Sequence, residues 1–306
     1  MIEVVAAVIR DQKGRILITR RPQHVHQGGL WEFPGGKREA HETAFQALFR
    51  ELKEEVDIEV QEAVPLIKID HDYGDKHVLL DVWQVRGFKG RAWGREGQDW
   101  RWIDEAAIEE YAFPEANLPI IKALRLPEYY AILEGDTPEQ VLQRYQQYSA
   151  KGIHFLQLRL KNLNSDQQQQ VLDSLYGQTH PHQRWFINSD NAGLDFTAQG
   201  LHLTAQALMS TTAKPTKFQW VGASCHNLHE LQQAEHLNLD FAVLSPVLST
   251  TTHPDTQTLG WDVIEPILIP AKIPVYLMGG LKMADLSKAR SLGAQGLAGI
   301  TTFLDH

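Results

Sequence analysis

Residues 35–58 read GGKREAHETAFQALFRELKEEVDI, and this stretch decides how the first part of the chain is organised. Thr43 suits the N-cap of a helix that runs to about Val56. Phe45, Leu48, Phe49, Leu52 and Val56 recur at helical spacing and predict its apolar stripe. Glu51, Glu54 and Glu55 fall at i, i+3 and i+4, so they crowd a neighbouring face, which Ala44 and Ala47 share and leave open above. Three carboxylates on adjacent turns repel one another, and a divalent cation removes that repulsion. Magnesium, or manganese in its place, suits such hard oxygen donors, keeps several waters and shares the oxygens of a bound phosphate. The Gly35-Gly36 pair lets backbone pass close to a ligand. Glutamates alone would read as a solvated acidic face. The further fixed spacing of Gly36, Glu42 and Arg50 favours a metal site.

The spacing of Gly36, Glu42, Arg50, Glu51, Leu52, Glu54, Glu55 and Ile58 resembles the Nudix box, G-x5-E-x7-R-E-U-x-E-E-x-G-U. Asp57 stands where that family usually has glycine, and aspartate tolerates a left-handed turn better than most residues. The resemblance covers about residues 1–126 and implies an α+β Nudix α/β/α sandwich that hydrolyses a nucleoside diphosphate linked to another group. The stretches ILITRRP, WEFPGGK, AWGREGQDWRW and FPEAN, in that order, resemble the MutT branch of the family, which acts on 8-oxo-dGTP. That likeness implies a nucleotide pocket at Arg21, His26, Phe33, Lys76 and Asn117, with Lys76 standing where an arginine is expected. It also implies that Gly35, Glu51, Glu54, Glu55 and Glu96 hold the metal, and that Glu51, Glu54, Glu55 and Glu96 form the catalytic set. Glu54 and Glu96 both remain candidates for the general base. The residue types suit these roles: Phe33 can pack on a base, Asn117 can read a purine edge with donor and acceptor, and Arg21 can bind phosphate or sugar.

Outside this stretch the chain reads as an ordinary globular protein, with 43% hydrophobic and 22% charged residues. Its 306 residues exceed one compact core, so two domains are expected. The net charge of −9 argues against a partner of long nucleic acid, and no apolar run reaches membrane-spanning length. A single cysteine, Cys225, excludes an intrachain disulfide and fits a cytoplasmic location. Strands are expected at 4–9, 15–19, 65–71, 77–85 and 99–103, with a second, short helix at 118–124. The boundary falls at RLPE, 125–128, where Pro127 breaks that helix.

From residue 129 to 306, eight short apolar runs alternate with helical stretches, which predicts a small (β/α)8 TIM barrel, with an open doubly wound sheet as the competing fold. The strands are expected at 129–133, 155–158, 185–187, 200–203, 220–223, 241–244, 275–278 and 296–298. This half resembles the thiamine-phosphate synthase/TenI family through LQLRLK, FINSD, GLHL, VGASCH, SPVLSTTTH, MGG and GAQGLAGIT. The resemblance implies a phosphate or thiazole-phosphate site at Gln157, Arg159, Lys161, Asn188, Ser224, Thr250, Thr252, Gly279, Gly280 and Thr301. Two departures stand out. Ser189 and Ala207 replace the two aspartates that hold magnesium in the synthase, and His253 replaces a lysine. Asp190 lies one residue late. Synthase activity is therefore doubtful, and a ligand-binding or sensing module of thiamine metabolism is the alternative to an inert barrel.

Overall fold

The computed structural model describes residues 1–180, 182–249 and 257–304, and the chain divides into two compact units, Met1–Arg125 and Leu126–His306. The first contains β1 (Ile2–Ile9), β2 (Ile16–Arg20), β3 (Trp31–Glu32), β4 (Gly35–Lys37), α1 (Ala44–Val56), β5 (Glu59–Asp72), β6 (His77–Lys89), β7 (Trp100–Ile103) and α2 (Leu118–Leu124). The strands form a four-stranded sheet in the order β4-β1-β6-β5 and a three-stranded sheet in the order β3-β2-β7. Successive residues of β1 serve opposite faces, as strand geometry requires. Val5, Ala7 and Ile9 join Leu48, Leu52 and Val56 of α1 in one core, while Ala6 and Val8 join Ile120 and Ala123 of α2 in another. A helix on each side of the strands gives the α/β/α sandwich.

Two short strands, β3 and β4, were not expected, because Pro34 and the glycine pair beside them carry no strand signal. β5 and β6 extend well past their expected ends as a long antiparallel hairpin with register shifts between Val60 and Ala63 and between Pro65 and Ile67.

Helix α1 begins as its sequence requires: the Thr43 side chain accepts a hydrogen bond from the Gln46 amide, and Gln46 reaches back to the Thr43 amide. It ends at Asp57, which adopts the left-handed conformation at φ 55° and donates its amide to the Leu52 carbonyl. Its buried face differs from the expected stripe. Ala47, Leu48, Leu52 and Val56 are buried, whereas Phe45 and Phe49 are 40% and 43% exposed. The small Ala47 side chain lies in the core and does not stand open above the acids. At about 100° per residue, the face centred on Ala47, Leu48, Glu51 and Glu55 is the one that turns to the sheet. Phe45 and Phe49 fall off its flank.

The second unit is a closed parallel barrel of β8 (Tyr129–Leu133), β9 (Phe155–Leu158), β10 (Arg184–Asn188), β11 (Gly200–Leu203), β12 (Trp220–Cys225), β13 (Phe241–Leu244), β14 (Val275–Leu277) and β15 (Gly296–Gly299). β15 pairs with β8, which closes the sheet and excludes the open alternative. Its interior holds Tyr130, Phe155, Phe186, Phe241 and Tyr276. Gly200 and Gly222 make this possible, since a Cβ at either would strike the ring of Phe186 or Phe241. No helix among the described residues is long and apolar enough to cross a membrane.

These burial differences predict contrasting mutants. Leu52→Ala should destabilise the first unit by about 2–5 kcal/mol through loss of burial and a cavity, whereas Phe49→Ser should change stability by under about 0.5 kcal/mol. Denaturant unfolding of the full chain checks both.

Candidate active site

The inward tilt of α1 carries Glu51 and Glu55 against β4. The Gly35 amide donates to Glu55 Oε2 at 2.8 Å. A side chain at Gly35 would collide with the Val5 carbonyl, and a Cβ at Gly36 would occupy the space of the Glu51 carboxylate. The glycine pair is thus required by close approach: one residue lets β4 meet β1, and the other makes room for a carboxylate.

Arg50 ties the remaining acids together. Its guanidinium donates to Glu42 at 2.6 and 2.8 Å, to Glu51 at 2.7 Å, to Glu54 at 3.3 Å and to the Lys37 carbonyl at 3.1 Å. These hydrogen bonds hold the Glu42 carboxyl down at about 2. Burial dominates at the other two acids. It pushes Glu55 up to about 7 against the opposing Gly35 hydrogen bond, with Glu32 adding like-charge repulsion. It also raises Glu51, which Arg50 partly offsets and Glu54 and Glu96 reinforce. Glu54 points outward, with 59% of its side chain exposed. Glu96 is exposed on a loop fixed to the end of α1, where the Arg95 amide and the Gln98 side chain both donate to the Glu55 carbonyl at 3.0 Å.

Among the described residues, no three acidic or imidazole side chains converge as a ready-made metal cage. The donors nevertheless suit one kind of cation. They are all oxygens, the Gly36 cradle holds a carboxylate in place, and burial raises two of the acids, which a cation would offset. A magnesium ion, which uses one or two carboxylates and fills its shell with water and phosphate oxygens, fits that set.

Next to this cluster is a pocket of about 210 Å³. Arg21, His26, Phe33, Gly35, Lys76 and Asn117, all expected from the sequence, line it together. Phe33 is 3% exposed and stacks on Phe113 with ring centres 5.5 Å apart. Asn117 is 9% exposed, and although it precedes α2 its side chain caps nothing. Lys76 sits in the β5–β6 turn, where its carbonyl accepts from the Tyr73 amide.

The polar lining residues Glu32, Lys37, Tyr73 and Gln27 were not anticipated. Glu32 is ion-paired with Arg21, and burial raises its carboxyl despite that cation. A charged residue set between Trp31 and Phe33, just before the glycine pair, was the available signal. Tyr73 touches the His26 and His71 rings edge-on.

In the barrel, side chains two residues beyond the aromatic layer form a polar chain. Gln157 donates to the Tyr130 hydroxyl at 3.1 Å and accepts from Asn188 at 2.9 Å. Tyr130 lies 3.2 Å from His202 Nδ1, and His202 Nε2 lies 2.9 Å from the Ser224 hydroxyl. Burial, with Arg159 adding repulsion, drops His202 to about 3, so it is neutral. Arg159 and Lys161 both approach the buried Glu134, at 2.7 and 3.5 Å, a partner not recognised in the sequence. Gly279 and Gly280 follow β14 with φ of 103° and 68°, and Thr301 is exposed after β15. Thr250 and Thr252 lie outside the described residues. Ser189 and Ala207 are brought to the same neighbour: the Thr204 amide donates to the Ser189 hydroxyl at 3.1 Å, and the Ala207 amide donates to the Thr204 hydroxyl at 3.3 Å. Asp190 is not on a strand; it sits exposed in the single turn after β10.

The NUDIX domain model matches residues 5–123, and the thiamine monophosphate synthase model matches residues 129–303. The 8-oxo-dGTP diphosphatase of Escherichia coli is 38% identical over 124 residues, 40% of this chain and 96% of that protein. The chain belongs to the Nudix family and, through its second half, to the thiamine monophosphate synthase/TenI family. On the Nudix side it is also similar to the CTP pyrophosphohydrolase of Escherichia coli, 37% identical over 40% of this chain and 90% of that protein. On the TenI side it is similar to the thiamine-phosphate synthase of Herpetosiphon aurantiacus, 30% identical over 51% of this chain and 77% of that protein.

The half-buried acid of the Nudix helix, Glu55, makes a testable demand. A carboxyl raised from 4.5 to about 7 on folding weakens the folded state as pH rises between those values, by about 3 kcal/mol once both states are ionised. Without divalent cation, Glu55→Gln should therefore unfold at a higher temperature than the parent at pH 8, and the gap should close near pH 4. Thermal unfolding with a chelator present checks this, and the same variant should lose turnover while remaining folded.

Proposed function

We propose that the first unit is a magnesium-dependent hydrolase of nucleoside triphosphates that releases pyrophosphate and the nucleoside monophosphate, with an oxidised purine nucleotide such as 8-oxo-dGTP as its preferred substrate. One observation carries this reading: Phe33, Asn117, Arg21, His26 and Lys76 line the pocket that Gly35 joins to the half-buried Glu55. Phe33 offers an aromatic face for a base, and Asn117 offers a donor and an acceptor that no helix cap consumes. Lys37 and Lys76 bring positive charge to the same pocket for phosphate. The similarity to the 8-oxo-dGTP diphosphatase supports the choice of substrate, while the CTP pyrophosphohydrolase keeps a pyrimidine nucleotide in the comparison.

Glu51, Glu54, Glu55 and the Gly35 carbonyl would hold the cation, with Glu96 available from the facing loop. A magnesium ion held by these residues would supply polarisation of a phosphoryl group and a more acidic water. The chain's own part is to hold Glu51 in the Gly36 cradle, to restrain it through Arg50, and to keep Glu55 away from bulk water. Glu54 and Glu96, the exposed acids, are the groups able to pass a proton to solvent. The single cysteine is buried, which fits work in a reducing cytoplasm as a house-cleaning enzyme.

The barrel is read as a degenerate synthase that binds a thiazole- or thiamine-type phosphate without turning it over. Ser189 and Ala207 offer a hydroxyl and a methyl where two acids are needed, and Arg159 and Lys161 share the single acid Glu134, which leaves positive charge for a phosphate. Hydrolysis of a thiamine-related diphosphate by the Nudix unit is the alternative for the whole chain.

Full-length protein with magnesium, offered 8-oxo-dGTP, dGTP, CTP and thiamine diphosphate side by side, should favour 8-oxo-dGTP in kcat/KM. Titration of the barrel with thiazole phosphate should give binding without product. Preference for thiamine diphosphate would overturn the first reading, and thiamine phosphate formation would overturn the second.

A further inference from the structure

The pocket contains a feature that a site for a polyanion does not obviously want. Glu32 is a half-buried carboxylate lining the same space as Lys37, Lys76 and Arg21, and a negative charge there repels phosphate as well as losing part of its hydration. Its geometry explains its presence. Glu32 pairs with Nη1 of Arg21, and the other edge of that guanidinium donates from Nε and Nη2 to the His26 carbonyl at 3.1 and 2.9 Å. Arg21 also closes the neck of the β2–β3 loop through its backbone: its amide donates to Leu30 at 2.9 Å, and its carbonyl accepts from Gly29 at 3.0 Å. Inside this closed loop Gln27 is held at φ 60°, a conformation unfavourable for a side chain with a Cβ, and both His26 and Gln27 face the pocket.

We propose that Glu32 is a positioning residue for nucleotide binding: it orients the fork of Arg21, which grips the His26 carbonyl and holds His26 and Gln27 in place against the nucleotide. Arg21 then acts on the loop rather than chiefly on phosphate. A planar fork suits this task because it can meet a carboxylate and a carbonyl on two edges at once. The strain at Gln27 is the restoring force that opens the loop when the grip is lost. The proposal rests on the nucleotide-hydrolase reading of this pocket.

The test uses Glu32→Gln, which keeps shape and removes charge, and Arg21→Lys, which keeps charge and removes the fork, both in the full chain. Hydrogen–deuterium exchange of amides 23–30 should accelerate by about tenfold or more in each variant, while α1 exchanges as in the parent. With the preferred nucleoside triphosphate and magnesium, KM should rise by about tenfold and kcat should fall by less than about threefold. In a His26→Ala background, adding Glu32→Gln should raise KM by under about twofold, because both changes act through one loop. Unchanged loop exchange, a loss confined to kcat, or full additivity with His26→Ala each overturns the proposal. The exchange measurement needs no turnover. A parent protein inactive on every nucleoside triphosphate would sink the functional reading, and the loop would still report on Glu32.

Discussion

The Nudix half is organised around one half-buried contact, the Glu55 carboxylate against the Gly35 amide at 2.8 Å. An acid carried into a core is unfavourable unless its lone pairs are satisfied and its charge is answered. The amide answers part of that demand, and the remainder shows as a carboxyl raised to about 7. The contact fixes the distance between α1 and β4, and that distance explains the sequence on both sides. Ala47 is small because the helix must approach closely, and Gly35 and Gly36 lack side chains because β1 and Glu51 fill the space. The helix is therefore not an apolar element that happens to display acids. Its inward face is part apolar and part acidic, and the acidic part stays in place because Leu48, Leu52 and Val56 anchor the rest.

The two units manage buried polarity differently. In the barrel, the polar chain from Asn188 through Gln157, Tyr130 and His202 to Ser224 is neutral throughout, with His202 far too depressed to protonate near neutrality. Each member finds a neighbour, so the layer is satisfied without any ligand. The cations Arg159 and Lys161 likewise meet Glu134 inside the same unit. The Nudix pocket does the opposite. Its acids are raised, and the Asn117 side chain is left out of helix capping. Burial raises these acids even where Arg21 and Arg50 pair with them, and such perturbed carboxyls cluster at functional sites.

Arg21 and Arg50 illustrate how a residue type can be right while its connections stay hidden. Both were readable as site residues, Arg50 from its interval to Glu42 and Arg21 from the resemblance. Arg50 proves to bridge Glu42, Glu51, Glu54 and the Lys37 carbonyl, and this accounts for the fixed interval between Glu42 and Arg50. Arg21 spends much of its fork on Glu32 and the His26 carbonyl.

Local pattern determined a great deal by itself. The N-cap at Thr43, the left-handed stop at Asp57, the eight barrel strands and the break near Pro127 were all readable, because caps, turns and periodicity depend on neighbours within a few residues. Chain length pointed to more than one folded unit. Only the tertiary structure decided which side of α1 is buried, leaving Phe45 and Phe49 at the surface and drawing Ala47, Glu51 and Glu55 inward. A helical wheel gives the angle between residues but not the direction of the sheet. The partnerships of Glu32 with Arg21 and Glu134 with Arg159, and the closure of β15 on β8, likewise emerge only when distant segments meet. Electrostatic pairing and barrel closure depend on separation in space, and sequence spacing does not encode that separation.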